Sequence, residues 1–281
     1  MDPTNPKSSE TLANRRIGFV GGGAMATALA GGLCAAGVSA RNIQASEPDE
    51  ARRRELSEAL GIETLDDNAT LAASCDLVVI AVKPNVVGDA LANIRAAGGS
   101  HSPLWISIAA GIPLEKLEAA IGGHPRIVRA MPNTPALVGA GATAISANAR
   151  VDTRDRAAAR ALFEGVGTVW EAPSESMLDA VTALSGSGPA YVFLLLEALV
   201  NAGIAEGLPA EAASQLATQT VFGAAKLALE DPRTPKALRE QVTSPGGTTQ
   251  AALTRLFERD LPDIVADAVR AATRRSRELG A

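Results

Sequence analysis

Through the first half of the chain, short runs of β-branched and apolar residues alternate with longer stretches whose apolar positions recur at helical spacing. The runs 17–20, 43–46, 77–82, 104–109, 127–130, 143–146 and 168–171 read as strands, and 24–36, 50–60, 69–73, 86–97, 114–121 and 153–165 as helices. That alternation predicts an α/β fold, a Rossmann-type parallel sheet covered on both faces. After about Pro173 the strand signal stops, and the rest reads as all helical, broken near Gly207-Leu208-Pro209, Asp231-Pro232 and Ser244-Pro245-Gly246-Gly247. The expected organisation is a loose tail over 1–14, a dinucleotide-binding Rossmann domain over 15–173 and a helical domain over 174–281. Residues 192–199 are apolar almost all round, so this helix should be buried on several sides. A helical region this small covers it most easily with a second copy of the chain, which predicts at least a dimer.

The chemistry begins where the strand at Ile17-Gly18-Phe19-Val20 meets Gly21-Gly22-Gly23 and a small-residue helix. Gly21, Gly23 and Ala26 fit the spacing GxGxxA. The first glycine permits the tight turn, the second lets a pyrophosphate approach the backbone, and the alanine lets helix and strand pack closely. Phosphates would sit at the helix N-terminus, whose free N–H groups and positive dipole end favour anions.

Composition narrows the partners. A net charge of -5 supplies no basic excess for nucleic acid. The longest apolar runs, such as 191–196, fall short of the roughly 20 residues of a membrane span. Residues 1–14 are polar and cannot serve as a secretory signal. Cys34 and Cys75 have no CxxC spacing, which suits a reducing compartment, gives no metal site and reads as small core residues; the expected location is cytoplasmic.

Ligands of open α/β sheets sit outside the carboxyl ends of the strands. Ala81-Val82-Lys83-Pro84 closes one strand, and Pro84 biases Lys83 towards an extended conformation over the cofactor. Ala109-Ala110-Gly111 ends the next with residues small enough for a flat ring to lie against backbone. In Met131-Pro132-Asn133-Thr134-Pro135, two prolines fix an irregular loop and leave Asn133 and Thr134 to bond a ligand, with a purely structural role as the alternative. Ser244 reads as a helix N-cap and Pro245 as the first helical position, with Gly246 and Gly247 leaving N–H groups uncovered to receive one carboxylate.

From Arg16 to the end, the order of the glycine turn, AVKP, AAG, MPNTP, residues 184–191 (LSGSGPAY) and residues 244–249 (SPGGTT) resembles the pyrroline-5-carboxylate reductase family. The resemblance implies an NAD(P)H-dependent oxidoreductase that reduces the cyclic imine 1-pyrroline-5-carboxylate to L-proline, the last step of proline biosynthesis. It also implies an intertwined helical dimer, often built into larger rings. In the family the second threonine of SPGGTT contacts the substrate's ring nitrogen, which makes Thr249 the catalytic candidate, with Gly246, Gly247, Thr248, Ser187 and Glu175 around the substrate. The cofactor set is Gly21, Gly23, Ala24, Met25, Ser46, Glu47, Asn68, Ala81, Val82, Lys83, Pro84, Ala109, Ala110, Gly111 and Asn133.

Ala24 departs from the family, which often has a polar residue there. Glu47 stands where the acidic residue of NAD-binding Rossmann folds takes the ribose hydroxyls, whereas Ser46, Arg52, Arg53 and Arg54 could accept a 2′-phosphate, so NADPH and NADH both stay open. His101 and His124 lie in loops and read as solvent-exposed, and Tyr191 as a buried helical tyrosine; no convincing acid emerges. Two competing readings remain. A β-hydroxy-acid dehydrogenase would need a helical lysine, for which Lys226 lacks polar surroundings, and a redox sensor would have no use for a carboxylate site.

Overall fold

The computed structural model describes residues 8–97 and 102–280. They form two compact units that divide after Ser187, later than the boundary expected near Pro173, and the chain from Ala272 onward joins the first unit.

The first unit carries α1 (Ser8–Leu12), β1 (Ile17–Val20), α2 (Ala24–Ala35), β2 (Ile43–Ser46), α3 (Glu50–Leu60), β3 (Glu63–Leu65), α4 (Asn68–Ser74), β4 (Leu77–Ile80), α5 (Val87–Ala97), β5 (Leu104–Ser107), α6 (Leu114–Ile121), β6 (Arg126–Met131), β7 (Gly141–Ala147), α7 (Thr153–Glu164), β8 (Gly167–Glu171) and α8 (Leu178–Val181). The strands form one eight-stranded sheet in the order β3-β2-β1-β4-β5-β6-β7-β8. All neighbours are parallel except β6 and β7. This corrects the all-parallel expectation. Between Met131 and Gly141 there is only a short 3-10 turn (Thr134–Val138), too little chain for the crossover that a parallel return needs.

Alternate residues of each central strand enter two cores. Leu77, Val79, Leu104 and Ile106 pack on one face with α2 and α7, while Val78, Ile80 and Trp105 pack on the other with α4, α5 and α6. Gly18 is required by this packing, because a Cβ there would come within 2.5 Å of Leu71. Part of the expected loose tail is ordered. Ser8–Leu12 is helical and Leu12 is fully buried, so apolar burial fixes the chain well before Asn14.

The second unit holds α9 (Gly188–Ala205), α10 (Ala210–Glu230), α11 (Pro235–Gln241), α12 (Thr248–Glu258) and the start of α13 (Leu261–Gly280). Ala213 is its one buried side chain among the described residues. The burial expected for 192–199 is therefore not supplied by this chain: Phe193 is 63% and Leu194 67% exposed. Such a continuous apolar face on a helical unit marks a surface that another molecule covers. The stretch Glu175–Ala205 is also long and apolar enough to cross a membrane, which the run 191–196 alone did not suggest.

Candidate functional site

At the end of β1, Gly21 takes φ +99° and its N–H donates to the Ser46 carbonyl at 2.8 Å. A Cβ on Gly21 would meet Val82 at 2.8 Å and the Ala81 carbonyl at 3.0 Å, so the turn is pressed against the end of β4. Gly23 differs: it caps α2 with no side-chain hydrogen bond, and a Cβ there would meet nothing within 4 Å. The first helical bond of α2 runs from Thr27 to the Gly23 carbonyl. The N–H groups of Ala24, Met25 and Ala26 therefore lack acceptors within the helix and face the open side of Gly23. These backbone donors have the polarity a pyrophosphate needs and do not depend on the polar side chain missing at Ala24. Ala26 is buried, as close helix–strand packing requires.

The carboxyl ends of β2 and β4 flank this turn. Ser46 is buried and donates to Asn68 Oδ1 at 2.7 Å, while Asn68 Nδ2 donates to the Ala90 carbonyl at 3.4 Å. Both side chains are thereby committed to holding α4 and α5 against β2. Glu47 is half-buried, and its Oε2 accepts the Gly22 N–H at 2.9 Å. Lys83 is extended and exposed before the 3-10 turn Pro84–Val86, as the following proline dictates. Ala81 and Val82 are half-buried beside the glycine turn.

Four residues expected around the ligands, Ala109, Gly111, Asn133 and Glu175, also make contacts within the fold. After β5, Gly111 is buried with φ +76°, and a Cβ there would lie 3.0 Å from Leu279, so this glycine lets the end of α13 pack closely. Ala109 belongs to the core, which leaves the half-buried Ala110 nearest the crevice. Asn133 is not free: its Oδ1 accepts the Ala142 N–H at 2.9 Å and its Nδ2 donates to the Ser185 carbonyl at 3.1 Å. Glu175 Oε1 accepts from Leu114 N–H at 2.7 Å and from the buried Arg129 guanidinium at 2.8 Å. Arg129 escaped the sequence reading because a lone arginine in an apolar strand gives no pattern to follow.

After α8 the chain takes a single π-helical turn, Thr182–Gly186, closed by Ser187 N–H on the Thr182 carbonyl at 2.8 Å. Such turns concentrate at functional sites. A Cβ on Gly186 would press on the end of the flexible Met131 side chain, which packs against this turn. Pro189 sits in the first turn of α9, where its missing N–H costs nothing, so it breaks no helix interior.

In the second unit, residues 244–247 form a type II turn rather than the start of a helix. Pro245 holds the first central position, Gly246 takes φ +71° at the second, and Gly247 N–H donates back to the Ser244 carbonyl at 3.0 Å. Gly247, not Ser244, caps α12, and the helix begins at Thr248. Gly246 N–H is taken by Gln250 Oε1, and the first helical bond reaches from Ala251 to the Gly247 carbonyl at 3.2 Å. The N–H groups of Thr248, Thr249 and Gln250 are thus without acceptors in the helix, beside a half-buried Thr249 and an exposed Thr248. A carboxylate is the ligand such a terminus suits.

Other candidates fall outside these places. His124 is exposed, while His101 lies outside the described residues. Lys226 is exposed and pairs with Glu230 at 2.6 Å, and Tyr191 is half-buried rather than buried. Cys75 is fully buried and Cys34 partly so, both unbridged, and burial pushes the Cys75 thiol up to about 11.

A glycine turn open only at Gly23, set on a Rossmann-type sheet, defines a dinucleotide-dependent oxidoreductase. Residues 16–111 match the family model described as NADP oxidoreductase coenzyme F420-dependent, and 175–279 match pyrroline-5-carboxylate reductase dimerisation. A pyrroline-5-carboxylate reductase from Synechocystis is 45% identical over 94% of this chain and 98% of its own length. The solved structure of one from Coxiella burnetii superposes with a TM-score of 0.90 at 39% identity, covering 95% of this chain and 99% of that one. A Plasmodium falciparum pyrroline carboxylate reductase with NADP bound gives 0.85 at 34%, covering 96% and 99%. The chain belongs to the pyrroline-5-carboxylate reductase family.

Proposed function

We propose that this protein reduces 1-pyrroline-5-carboxylate to L-proline with NADPH or NADH, closing proline biosynthesis. Bound in the crevice, the reduced nicotinamide supplies a hydride for the imine carbon. Hydride transfer depends on an approach of about 3–3.5 Å and on orientation more than on a strong acid, since a protonated imine is already electrophilic. The chain's own contribution is placement. The glycine turn and the N–H groups of Ala24 and Met25 hold the pyrophosphate, with Ala81, Val82, Lys83 and Pro84 along the crevice. The α12 terminus, with Gly246, Gly247 and Thr248, receives the substrate carboxylate, and Thr249 orients the ring nitrogen. Asn133, through Ala142 and Ser185, and Glu175, through Leu114 and Arg129, hold the segments that carry Ser187 and the turn after β5.

The observation that carries this reading is the SPGGTT turn. Turn geometry accounts for Pro245 and Gly246, yet among the described residues no acceptor meets the three N–H groups it leaves at the start of α12. We further propose a homodimer through the helical unit, with a ring of dimers as the larger assembly, working in the cytoplasm without a membrane; the exposed apolar face of α9 and the dimerisation match support the dimer. Loss of reduced-nicotinamide absorbance with purified protein and the imine tests the activity. Turnover is expected, and dinucleotide binding without turnover would refute the substrate.

A further inference from the structure

We infer that Glu47 is a specificity residue that makes this protein prefer NADH over NADPH. The inference rests on the proposed dinucleotide crevice and concerns how its ribose end is built.

The residue after β2 is the one that meets the adenosine ribose in Rossmann sites, and an acidic side chain there accepts the ribose hydroxyls. Here the carboxylate is fixed. Glu47 Oε2 accepts Gly22 N–H at 2.9 Å and Oε1 accepts Asp49 N–H at 3.2 Å. Gly22 is buried, so turning Glu47 aside would leave that N–H unsatisfied. An ionised carboxylate has about four acceptor positions, of which two are used. The two that remain suit hydroxyl donors and oppose a 2′-phosphate, which brings negative charge and no strong donor.

The nearby arginines already bond other groups of the fold. Arg52 Nε donates to the Gly22 carbonyl at 2.8 Å, and its two terminal nitrogens donate to Thr27 Oγ1 at 2.9 Å and Glu55 at 2.8 Å. Arg53 lies on the Glu47 and Pro48 carbonyls at 2.7 and 2.9 Å, and Arg54 pairs with Glu50. Asp49 and Glu50 add negative charge at the same corner. The arginines therefore brace the glycine turn and the β2–α3 junction, and among the described residues none of them pairs with the Glu47 carboxylate, whose remaining acceptor positions are left to the ribose.

Calorimetric titration of the full-length protein with NADH and NADPH, without imine, tests this. Like-charge juxtaposition predicts at least ~10-fold tighter binding of NADH. Glu47→Gln should shrink that ratio chiefly by improving NADPH, and Arg53→Ala should leave it unmoved. Tighter NADPH binding by the unaltered protein would overturn the inference, a result that needs no variant to fold. So would a Glu47→Gln protein that weakens both dinucleotides equally, since Glu47 would then only hold the glycine turn. Failure of both dinucleotides to bind would instead bring down the crevice reading itself and the inference with it.

Discussion

Replacing Asn133 separates a residue that touches the cofactor from one that holds the fold. Its side chain is 8% exposed and bridges the start of β7 to the π turn through Ala142 N–H and the Ser185 carbonyl. Asn133→Ala removes two hydrogen bonds, each worth about 1 kcal/mol net, and leaves the Ala142 N–H unpaired at a further cost of about 1–3 kcal/mol. The sum, with partial rescue by water, is a loss of about 2–4 kcal/mol. Asn133→Asp keeps an acceptor for Ala142 but turns an oxygen towards the Ser185 carbonyl, so the damage should concentrate at the π turn. Urea unfolding at one fixed protein concentration, needed because association contributes to stability, reads the first quantity, and dinucleotide titration reads the second. The expected result is a large stability loss in Asn133→Ala with dinucleotide affinity changed less than about threefold, and lowered turnover in both variants. Stability within about 0.5 kcal/mol of the unaltered protein together with collapsed dinucleotide affinity would refute the reasoning.

Thr249→Ala should lower turnover while leaving reduced-dinucleotide affinity nearly intact; collapsed cofactor binding would place Thr249 away from the substrate. Leu194→Glu puts a charge on the apolar face of α9, where Leu194 is 67% exposed in the single chain, and should shift the protein towards monomer in light scattering. An unchanged mass would locate the interface elsewhere. Burial raises the Cys75 thiol from its ordinary 9.0 to about 11. The folded state thus keeps the proton longer than the unfolded chain, so this stabilisation is full below pH 9 and is lost as pH rises towards 11. Cys75→Ala should flatten the alkaline fall in urea stability, and an identical fall in both proteins would show that the thiol does not contribute.

The strands and the glycine turn were legible because burial on both faces writes continuous apolar runs into β1, β4 and β5. Strand β3 was not, since Glu63-Thr64-Leu65 is a three-residue edge strand with an exposed first residue. The antiparallel β7 was hidden because strand residues look alike in either direction, and only the length of the β6–β7 connection decides. Among site residues, Gly23 could be read from spacing alone, since its role is to be bare. The internal bonds of Asn133, Asn68 and Glu175 could not, because a polar residue in a motif looks the same whether its partner is a ligand or a backbone group tens of positions away. The SPGGTT turn was misread by three residues at its cap: Pro suits both a first helical position and the second residue of a type II turn, and the φ of Gly246 tells them apart.

The most direct test of the central claim uses reduced dinucleotide deuterated at the transferring position of the nicotinamide, with 1-pyrroline-5-carboxylate as acceptor and the product analysed by mass spectrometry and chiral chromatography. The account predicts L-proline carrying one deuterium on the former imine carbon, formed in step with dinucleotide oxidation. Dinucleotide oxidation without labelled L-proline, or no reaction despite measurable dinucleotide binding, would contradict it.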